Sequence, residues 1–105
     1  MIDRQPNKRG RKVKVTFSIP REWMDRPVSV VGDFNEWDPH ATPLRKHGSV
    51  RRVSVSLEAG QSYRFRYLDD EGRWHDDPAA DDVVPNVAGG FDCVIDLTDA
   101  APTDG

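Results

Sequence analysis

The stretch VVGDFNEWDP (residues 30–39) decides how the rest of the sequence is interpreted. It begins as an apolar, β-branched run, which is typical of a buried strand. Gly32 then permits a bend or a close backbone approach, and the residues that follow form a turn-rich segment ending at Pro39. Trp37 lies in this segment, so a large aromatic side chain stands in a loop and needs an explanation.

Alternating apolar residues predict further strands on both sides of this stretch. The alternation runs through residues 13–19, 53–57, 63–67 and 91–97, and each such run predicts a strand with one buried face. We expect residues 53–57 and 63–67 to form an antiparallel hairpin around Ala59-Gly60, with residues 73–75 as a short strand beside it. The expected core residues are Phe17, Val53, Val55, Phe65 and Ile95.

The spacing of strands and turns predicts the fold class. The 105 residues suffice for one domain, and they include eight glycines and eight prolines but no helical period of useful length. We therefore predict an all-β, immunoglobulin-like two-sheet β-sandwich of about six to eight short antiparallel strands. We assign residues 11–98 to this domain, 1–10 to a disordered basic leader and 99–105 to a flexible tail. Residues 76–90 are interpreted as a mostly acidic loop.

Composition also predicts the surroundings of the protein. The single cysteine, Cys93, has no intramolecular disulfide partner and lies in an apolar strand pattern, so we expect a buried, reduced thiol. No run has the length or character of a signal peptide or a membrane span. We therefore expect a soluble, cytoplasmic protein without a membrane partner.

The charges are distributed unevenly along the chain. Fourteen of the fifteen basic residues precede Asp69, and eleven of the eighteen acidic residues lie from Asp69 onward. The basic residues near the N-terminus could indicate a nucleic-acid-binding arm, because phosphate contacts need clustered cations. We favour a solvated leader that runs into an edge strand, and we expect no nucleic-acid partner.

A second loop tryptophan, Trp74 in DDEGRWHDDP, suggests a sugar-binding pair with Trp37. A pyranose ring has aliphatic C–H groups on its face and hydroxyl groups around its rim. Tryptophan offers the largest flat π surface for the face, and guanidinium and amide groups donate to the oxygens at the rim. The alternative is that each tryptophan is a core residue whose indole N–H is hydrogen-bonded inside the protein.

Three segments, VVGDFNEWDP, YRFRYLDDEGRWHDDP and PNVAGGFDCVIDL, resemble carbohydrate-binding module family 48. That family includes the glycogen-binding domain of the AMP-activated protein kinase β subunit and the early-set domain preceding the barrel of isoamylases and branching enzymes. The resemblance spans about residues 13–97. Its most specific parts are the G-x-F-N-x-W loop, the Y-x-F-x-Y strand, the G-x-W-x-x-D-P turn and the G-G-F-x-x-V run. It implies a β-sandwich that binds α-1,4-linked glucans such as glycogen, starch and maltooligosaccharides.

The resemblance also implies site residues. Trp37 and Trp74 match the two stacking tryptophans of the family, and Arg64 matches the basic residue that bonds sugar hydroxyls. Asn35 precedes the first tryptophan in the usual way and either contacts the sugar or shapes the turn. Asp92 stands where glycogen-binding members commonly carry an asparagine, so an acceptor replaces an amide that also donates. Ala88 stands where a larger apolar residue often flanks the sugar, whereas the stretch around Trp23 does not align.

Three other functions compete with sugar binding. Glycoside hydrolysis needs two carboxylates across the scissile bond, but the many loop carboxylates are by default a solvated surface, so we expect no enzymatic activity and no cofactor. A divalent-ion site among His75, Asp76, Asp77, Asp81 and Asp82 matches no calcium-loop spacing, so we assign no metal ligands. The third is a docking module of the same fold that has lost sugar binding and associates with a glycogen-metabolising enzyme or kinase.

Overall fold

The computed structural model describes residues 2–6 and 11–98. These residues contain nine strands and one short 3₁₀ turn, Asp33–Asn35, and no helix among them is long and apolar enough to cross a membrane. The predicted tail (residues 99–105), together with residues 1 and 7–10 of the predicted leader, lies outside the described residues. The strands are β1 (Ile2–Pro6), β2 (Lys12–Pro20), β3 (Val28–Gly32), β4 (Arg45–His47), β5 (Val50–Glu58), β6 (Ser62–Asp69), β7 (Trp74–His75), β8 (Asp82–Pro85) and β9 (Phe91–Asp96).

The strands form two antiparallel sheets, which confirms the predicted all-β sandwich. The first sheet has the order β1-β2-β5-β4, and the second has the order β3-β6-β9-β8. The two-residue strand β7 pairs with the C-terminal part of β6, beyond the residues of β6 that pair with β9. The second sheet therefore carries both loops that the sequence analysis selected, because β3 leads into one and β6 and β7 enclose the other.

The core lies between the two sheets and is centred on aromatic rings. Phe17 from the first sheet packs against Phe65 and Tyr67 from the second, with ring centroids 5.1 and 6.4 Å apart. These rings and Ile95 are at most 1% exposed, so the alternation on β2, β6 and β9 predicted the buried face correctly. A fully buried side chain of this size stabilises the fold by about 1.5–3 kcal/mol. Cys93 is also buried and unbridged, as predicted.

The predicted hairpin of residues 53–57 and 63–67 is wrong, because β5 and β6 belong to different sheets. The backbone of Gly60 has a φ of 87°, and its N–H donates to the carbonyl of Leu97, the residue that follows β9. The turn therefore transfers the chain from one sheet to the other. A two-residue alternation shows which face of a strand is buried, but it does not show which strand is its neighbour.

The N-terminal segment also differs from the sequence prediction. Ile2–Pro6 is not a disordered leader but strand β1, which pairs in antiparallel register with β2. The Ile2 side chain packs against the core, and Arg4 forms an ion pair of 2.6 Å with Asp81 near the second sheet. The segment has too few apolar residues to show a period, so its order depends on tertiary pairing rather than on a local signal.

Two smaller differences concern strand edges. The predicted acidic loop of residues 76–90 contains the edge strand β8, whose charged and proline residues suit a sheet edge. Val53 and Val55 are half-buried rather than fully inside, although they pack against the core. The reason is that β4 pairs only with the first three residues of β5, so the rest of β5 is covered on one side by β2 alone.

Candidate functional site

The loop that presents Trp37 is fixed to the sandwich at its start. A Cβ atom at Gly32 would lie 2.4 Å from the carbonyl oxygen of Arg64, so only glycine allows β3 to approach β6 this closely. The next apolar side chain, Phe34, stacks on Phe17 with ring centroids 5.7 Å apart. The loop is thus attached to the aromatic core two residues after the strand ends.

Asn35 closes this loop from within. Its Oδ1 accepts a 3.0 Å hydrogen bond from the backbone N–H of Gly32. Its Nδ2 donates 3.0 Å hydrogen bonds to the carbonyl of Val30 and to Oγ1 of Thr42. The amide is engaged on both sides inside the protein, so the structure favours the turn-shaping role of Asn35 over a direct sugar contact.

Trp37 follows this turn with its indole held in one direction. Glu36 and Trp37 both have left-handed backbone conformations, with φ of 59° and 57°, which reverse the chain and project the indole from the loop. Nε1 of Trp37 donates a 2.9 Å hydrogen bond to Oδ1 of Asp33. Oδ2 of Asp33 accepts from the backbone N–H of Arg64 at 2.8 Å, so one carboxylate ties the half-buried indole to β6.

Trp74 is held differently, by strand pairing and a cation. It pairs with Leu68 of β6, and 44% of its surface is exposed. The guanidinium carbon of Arg66 lies 5.6 Å from the centroid of the Trp74 ring, within range of a cation–π interaction. Nε of Arg66 also donates to Oδ1 of Asp76 at 3.1 Å, so the cation is itself fixed.

A third wall comes from the turn between β8 and β9. Oδ1 of Asn86 accepts 3.0 Å hydrogen bonds from the backbone N–H groups of Ala88 and Gly90, which shape the turn. Nδ2 of Asn86 donates to Oδ1 of Asp92 at 3.1 Å. Asp92 is only 7% exposed, so its carboxylate forms a polar floor rather than a flexible surface group.

These three regions enclose one shallow, open cleft of about 340 Å³ on the outer face of the second sheet. Two half-exposed indoles supply flat apolar surfaces, and a guanidinium, an amide and a carboxylate supply hydrogen-bonding groups between them. This combination suits a ligand with apolar faces and a polar rim. The lining residues are Trp37, Arg66, Trp74, Asn86, Ala88, Gly90 and Asp92.

Arg64 lies at the edge of this cleft rather than in its wall. Its Nη1 donates to the carbonyl of Pro85 at 3.3 Å and lies 3.8 Å from Oδ2 of Asp92. The side chain is 47% exposed and lines an adjoining polar trough together with Asp33 and Asp82. Arg64 therefore contacts the floor residue Asp92 from the rim of the cleft.

The structure thus brings together three of the five residues that the resemblance selected, Trp37, Trp74 and Asp92. It places Arg64 at the rim and Asn35 behind the loop. Sequence reasoning missed Arg66 and Asn86 as cleft residues. Arg66 stands two positions after Arg64 on the same face of β6, and Asn86 follows Pro85 in the turn-forming PNVAGG run. These patterns show that the two residues lie on a strand face and in a turn, but not that both reach one cleft.

The opposite side of β7 contains a second, separate pocket of about 250 Å³. Nε2 of His75 lies 2.9 Å from Oδ2 of the buried Asp69 carboxylate. This hydrogen bond, followed by those from the backbone N–H groups of Arg73 and Glu71, lowers the pKa of Asp69 to about 2. Trp23 lines this pocket and is 57% exposed, so the tryptophan that does not align is part of neither the core nor the cleft.

The acidic residues considered as metal ligands are engaged in separate contacts. Asp77 accepts a buried 2.6 Å hydrogen bond from the hydroxyl of Tyr67, and Asp81 pairs with Arg4. Burial, followed by the charge of Asp77, raises the pKa of Tyr67 well above its ordinary value. Within residues 2–6 and 11–98, no three His, Cys, Asp or Glu side chains come together in a way that could hold a metal ion.

Comparison with known proteins gives partial matches to glucan branching enzymes. No protein-family model matches the chain. The chain is 40% identical over 60 residues to the 1,4-alpha-glucan branching enzyme GlgB of Rhodopirellula baltica, a match that covers 52% of this chain and 8% of that enzyme. Over 50 residues, or 45% of this chain, it is 44% identical to GlgB of Pseudomonas putida and 42% identical to GlgB 2 of Rhizobium johnstonii, in each case 7% of the enzyme. The matched part therefore spans less than a tenth of the length of these enzymes.

Proposed function

We propose that this domain binds α-1,4-linked glucans, without catalysis, in the cleft between Trp37 and Trp74. The observation that carries the proposal is the presence of two separately held, half-exposed indoles in one open cleft with a polar floor. Each indole is attached by its own contact, the first to Asp33 and the second to Arg66. Residues held in this way are available to a ligand without repacking of the core.

The chemistry of the cleft matches an α-glucan. The C–H faces of glucose units stack on indole rings, and the curved α-1,4 chain can contact two rings on different loops. Asp92 accepts from sugar hydroxyls, and Arg66 and the Asn86 amide supply neighbouring donor groups. The site is shallow and solvated, so we expect an affinity in the roughly micromolar to millimolar range.

The partial similarity to 1,4-alpha-glucan branching enzymes supports the same ligand class, since those enzymes are named for a 1,4-alpha-glucan. A domain of this kind would serve a glycogen-metabolising enzyme by holding the polysaccharide near it. Asp92 is the only carboxylate residue among the described residues that line the cleft, whereas glycoside hydrolysis typically uses two facing carboxylates. We therefore propose that the domain recognises the glucan and does not cleave it.

A docking module of the same fold is the second candidate function. It is favoured by Asp92, a buried acceptor where an amide would both donate and accept, and by the small Ala88 at the wall of the cleft. It is also favoured by exposed apolar side chains on and near the β8–β9 edge, namely Val83, Val87 and Phe91. In that case the partner is a protein, and the cleft has no measurable affinity for sugar.

Titration with maltoheptaose, with β-cyclodextrin as a curved mimic, separates the two functions. We expect the wild-type domain to bind both ligands, and Trp37→Ala and Trp74→Ala to abolish measurable binding. Trp23→Ala is the matched control, because it removes an exposed tryptophan from outside the cleft. Thermal melts should remain cooperative for all three variants.

Two results would contradict the proposal. Absence of any response of the wild-type domain at millimolar glucan would favour the docking module. Loss of the cooperative melt in the Trp37 or Trp74 variant would show that the substituted tryptophan holds the fold rather than the ligand.

A further inference from the structure

Two arginines face each other across neighbouring strands at one edge of the first sheet. Arg45 of β4 is the register partner of Arg52 of β5, and both side chains are exposed. Directly opposed residues of an antiparallel pair have Cβ atoms about 4.5–5.5 Å apart, and like charges at such positions destabilise the sheet. Arg52 is also paired with Ser18, which follows the buried Phe17 on β2. The two arginines therefore point away from the core.

The adjacent pair of residues on the same two strands is also basic, but it has an anionic neighbour. Lys46 is the register partner of Arg51, and Nη2 of Arg51 donates to Oδ1 of Asp25 at 3.2 Å. By contrast, the side chains of Arg45 and Arg52 have no hydrogen bond or ion pair within residues 2–6 and 11–98. The outward-facing pair is thus the one whose charge is not compensated within the described chain.

The outer face of the first sheet has a charge opposite to that of the whole protein. Its outward strand positions carry the basic residues Lys12, Lys14, Arg45 and Arg52 and the acidic residues Asp3 and Glu58. The protein as a whole has a formal net charge of -3. An anionic ligand is therefore attracted to this face rather than to the rest of the surface, which carries the excess of acidic residues.

The side chains of this face suit carboxylates better than sugars or bases. Among the described residues of its four strands, the only Phe, Tyr or Trp is Phe17, which is fully buried. Glucans and unpaired bases both need aromatic surfaces for stacking. Guanidinium groups, in contrast, bind carboxylates through two parallel hydrogen bonds.

The main chain of β4 is also accessible to a partner. This strand is the last of its sheet, and among the described strands it pairs with β5 alone. An extended peptide adds to such an edge through main-chain hydrogen bonds, and every second side chain of the peptide then points to the same face. Arg45 and Lys46 oppose pairing with the same edge of a second copy, and they attract a strand of opposite charge.

From these features we infer that the Arg45–Arg52 pair at the β4 edge is a docking site for an acidic, extended segment of a partner protein. Carboxylates at alternate positions of that segment bind the two guanidinium groups, and its main chain lies along β4. The contact is exposed to solvent, so it is weak and depends on ionic strength. It does not depend on glucan binding, because the cleft lies on the outer face of the second sheet.

Fluorescence anisotropy with a labelled synthetic peptide of alternating glutamate and threonine tests this site. We expect saturable binding to the wild-type domain at low ionic strength. The double variant Arg45→Gln, Arg52→Gln should weaken binding at least about tenfold. Arg73→Gln is the matched control, because Arg73 lies between β6 and β7 with a side chain that is 72% exposed. It should change the affinity by less than about twofold.

Two further peptides test the chemistry and the extended conformation of the ligand. A peptide with glutamine in place of each glutamate should not bind. A peptide with the same residues arranged as one glutamate block and one threonine block should bind more weakly than the alternating peptide, because its carboxylates do not share one strand face. If the block peptide or a DNA duplex binds as tightly as the alternating peptide, the face attracts anions in general and the inference is wrong.

Thermal melts separate docking from a structural role of the arginine pair. Because opposed like charges destabilise a sheet, the double variant should melt at the temperature of the wild type or above it. A melting temperature lower by more than about 5 °C would show that the pair holds the two strands together, and it would contradict the inference.

A nitrogen–proton spectrum shows where the peptide binds. The backbone N–H signals of residues 45–47 and 50–52 should shift on titration with the alternating peptide, and the indole signals of Trp37 and Trp74 should not. Displacement of the peptide by maltoheptaose would place it in the cleft and overturn the inference. The same signals shifting with protein concentration in the absence of peptide would make a second copy the occupant. Since no step uses glucan binding, failure of the proposed function leaves this inference intact, and the reverse also holds.

Discussion

The two faces of the second sheet use aromatic side chains in different ways. On the inner face, Phe65 and Tyr67 are almost completely buried and pack against Phe17 from the other sheet. On the outer face, Trp37 and Trp74 remain partly exposed, and each is held by one polar or charged neighbour. Inner-face rings stabilise the fold through buried area, whereas outer-face rings have defined orientations but free surfaces. The comparison indicates that substitutions on the inner face affect stability, and substitutions on the outer face affect recognition.

The largest expected effect is a loss of stability when an aromatic ring of the inner core is removed. Phe17→Ala removes the ring that contacts Phe34, Phe65 and Tyr67, and it should lower the free energy of unfolding by about 3–5 kcal/mol. Chemical denaturation monitored by circular dichroism measures this loss. The control is Phe91→Ala, since Phe91 is 55% exposed, and its effect should be much smaller. Equal losses of unfolding free energy in the two variants would contradict the proposal that the inner face determines stability and the outer face determines recognition.

Trp74→Ala should have the opposite pattern of effects, a small one on stability and a large one on glucan binding. The side chain is 44% exposed and belongs to a two-residue strand, so its removal should change the free energy of unfolding by less than about 1 kcal/mol while abolishing glucan binding. The same denaturation experiment and a maltoheptaose titration measure the two effects. A destabilisation as large as that of Phe17→Ala would place Trp74 in the core.

A smaller effect should follow when the support of Trp37 is removed but the ring remains. Asp33→Ala breaks the hydrogen bond to Nε1 of Trp37 and the one from the backbone N–H of Arg64, so the indole is less restrained. We expect binding about three- to tenfold weaker, measured by titration with maltoheptaose. Asp38→Ala is the control in the same loop, because its carboxylate accepts from the backbone N–H of His40 instead. Equal effects of the two substitutions would show that Asp33 does not orient the indole.

The smallest expected effect is a gain of affinity at the wall of the cleft. Ala88→Leu adds apolar surface beside the ligand and should strengthen binding by about two- to threefold. Val87→Leu, at an exposed neighbouring position that does not line the cleft, should leave the affinity unchanged. Competition between the two variants and the wild type for immobilised amylose resolves a difference of this size. Weaker binding by the Ala88 variant would mean that the small residue is needed for access.

The inner face could be predicted from the sequence much more fully than the outer one. Alternation on β2, β6 and β9 identifies Phe17, Phe65 and Ile95 as buried, because burial repeats every second residue. The same period does not specify strand partners, which is why the hairpin of residues 53–57 and 63–67 was wrong. Ile2–Pro6 carried no local signal, since its order comes from pairing with β2.

The residues of the cleft required a different kind of information. The resemblance selected Trp37, Trp74 and Asp92, and the structure places all three around one cleft. It did not identify Arg66 or Asn86, whose roles depend on distances across strands and on a turn rather than on a motif. The buried faces of β2, β6 and β9 follow from a repeated pattern, but the polar part of the site depends on individual contacts across strands and turns.

The three tryptophan indole N–H signals provide the most direct measurement of the central claim. In a two-dimensional nitrogen–proton spectrum of the wild-type domain titrated with maltoheptaose, the signals of Trp37 and Trp74 should shift together along one saturable curve. The signal of Trp23, which lines the separate pocket on the other side of β7, should stay in place. If no indole signal moves at millimolar glucan, or if Trp23 moves while Trp37 and Trp74 do not, glucan binding in this cleft is contradicted.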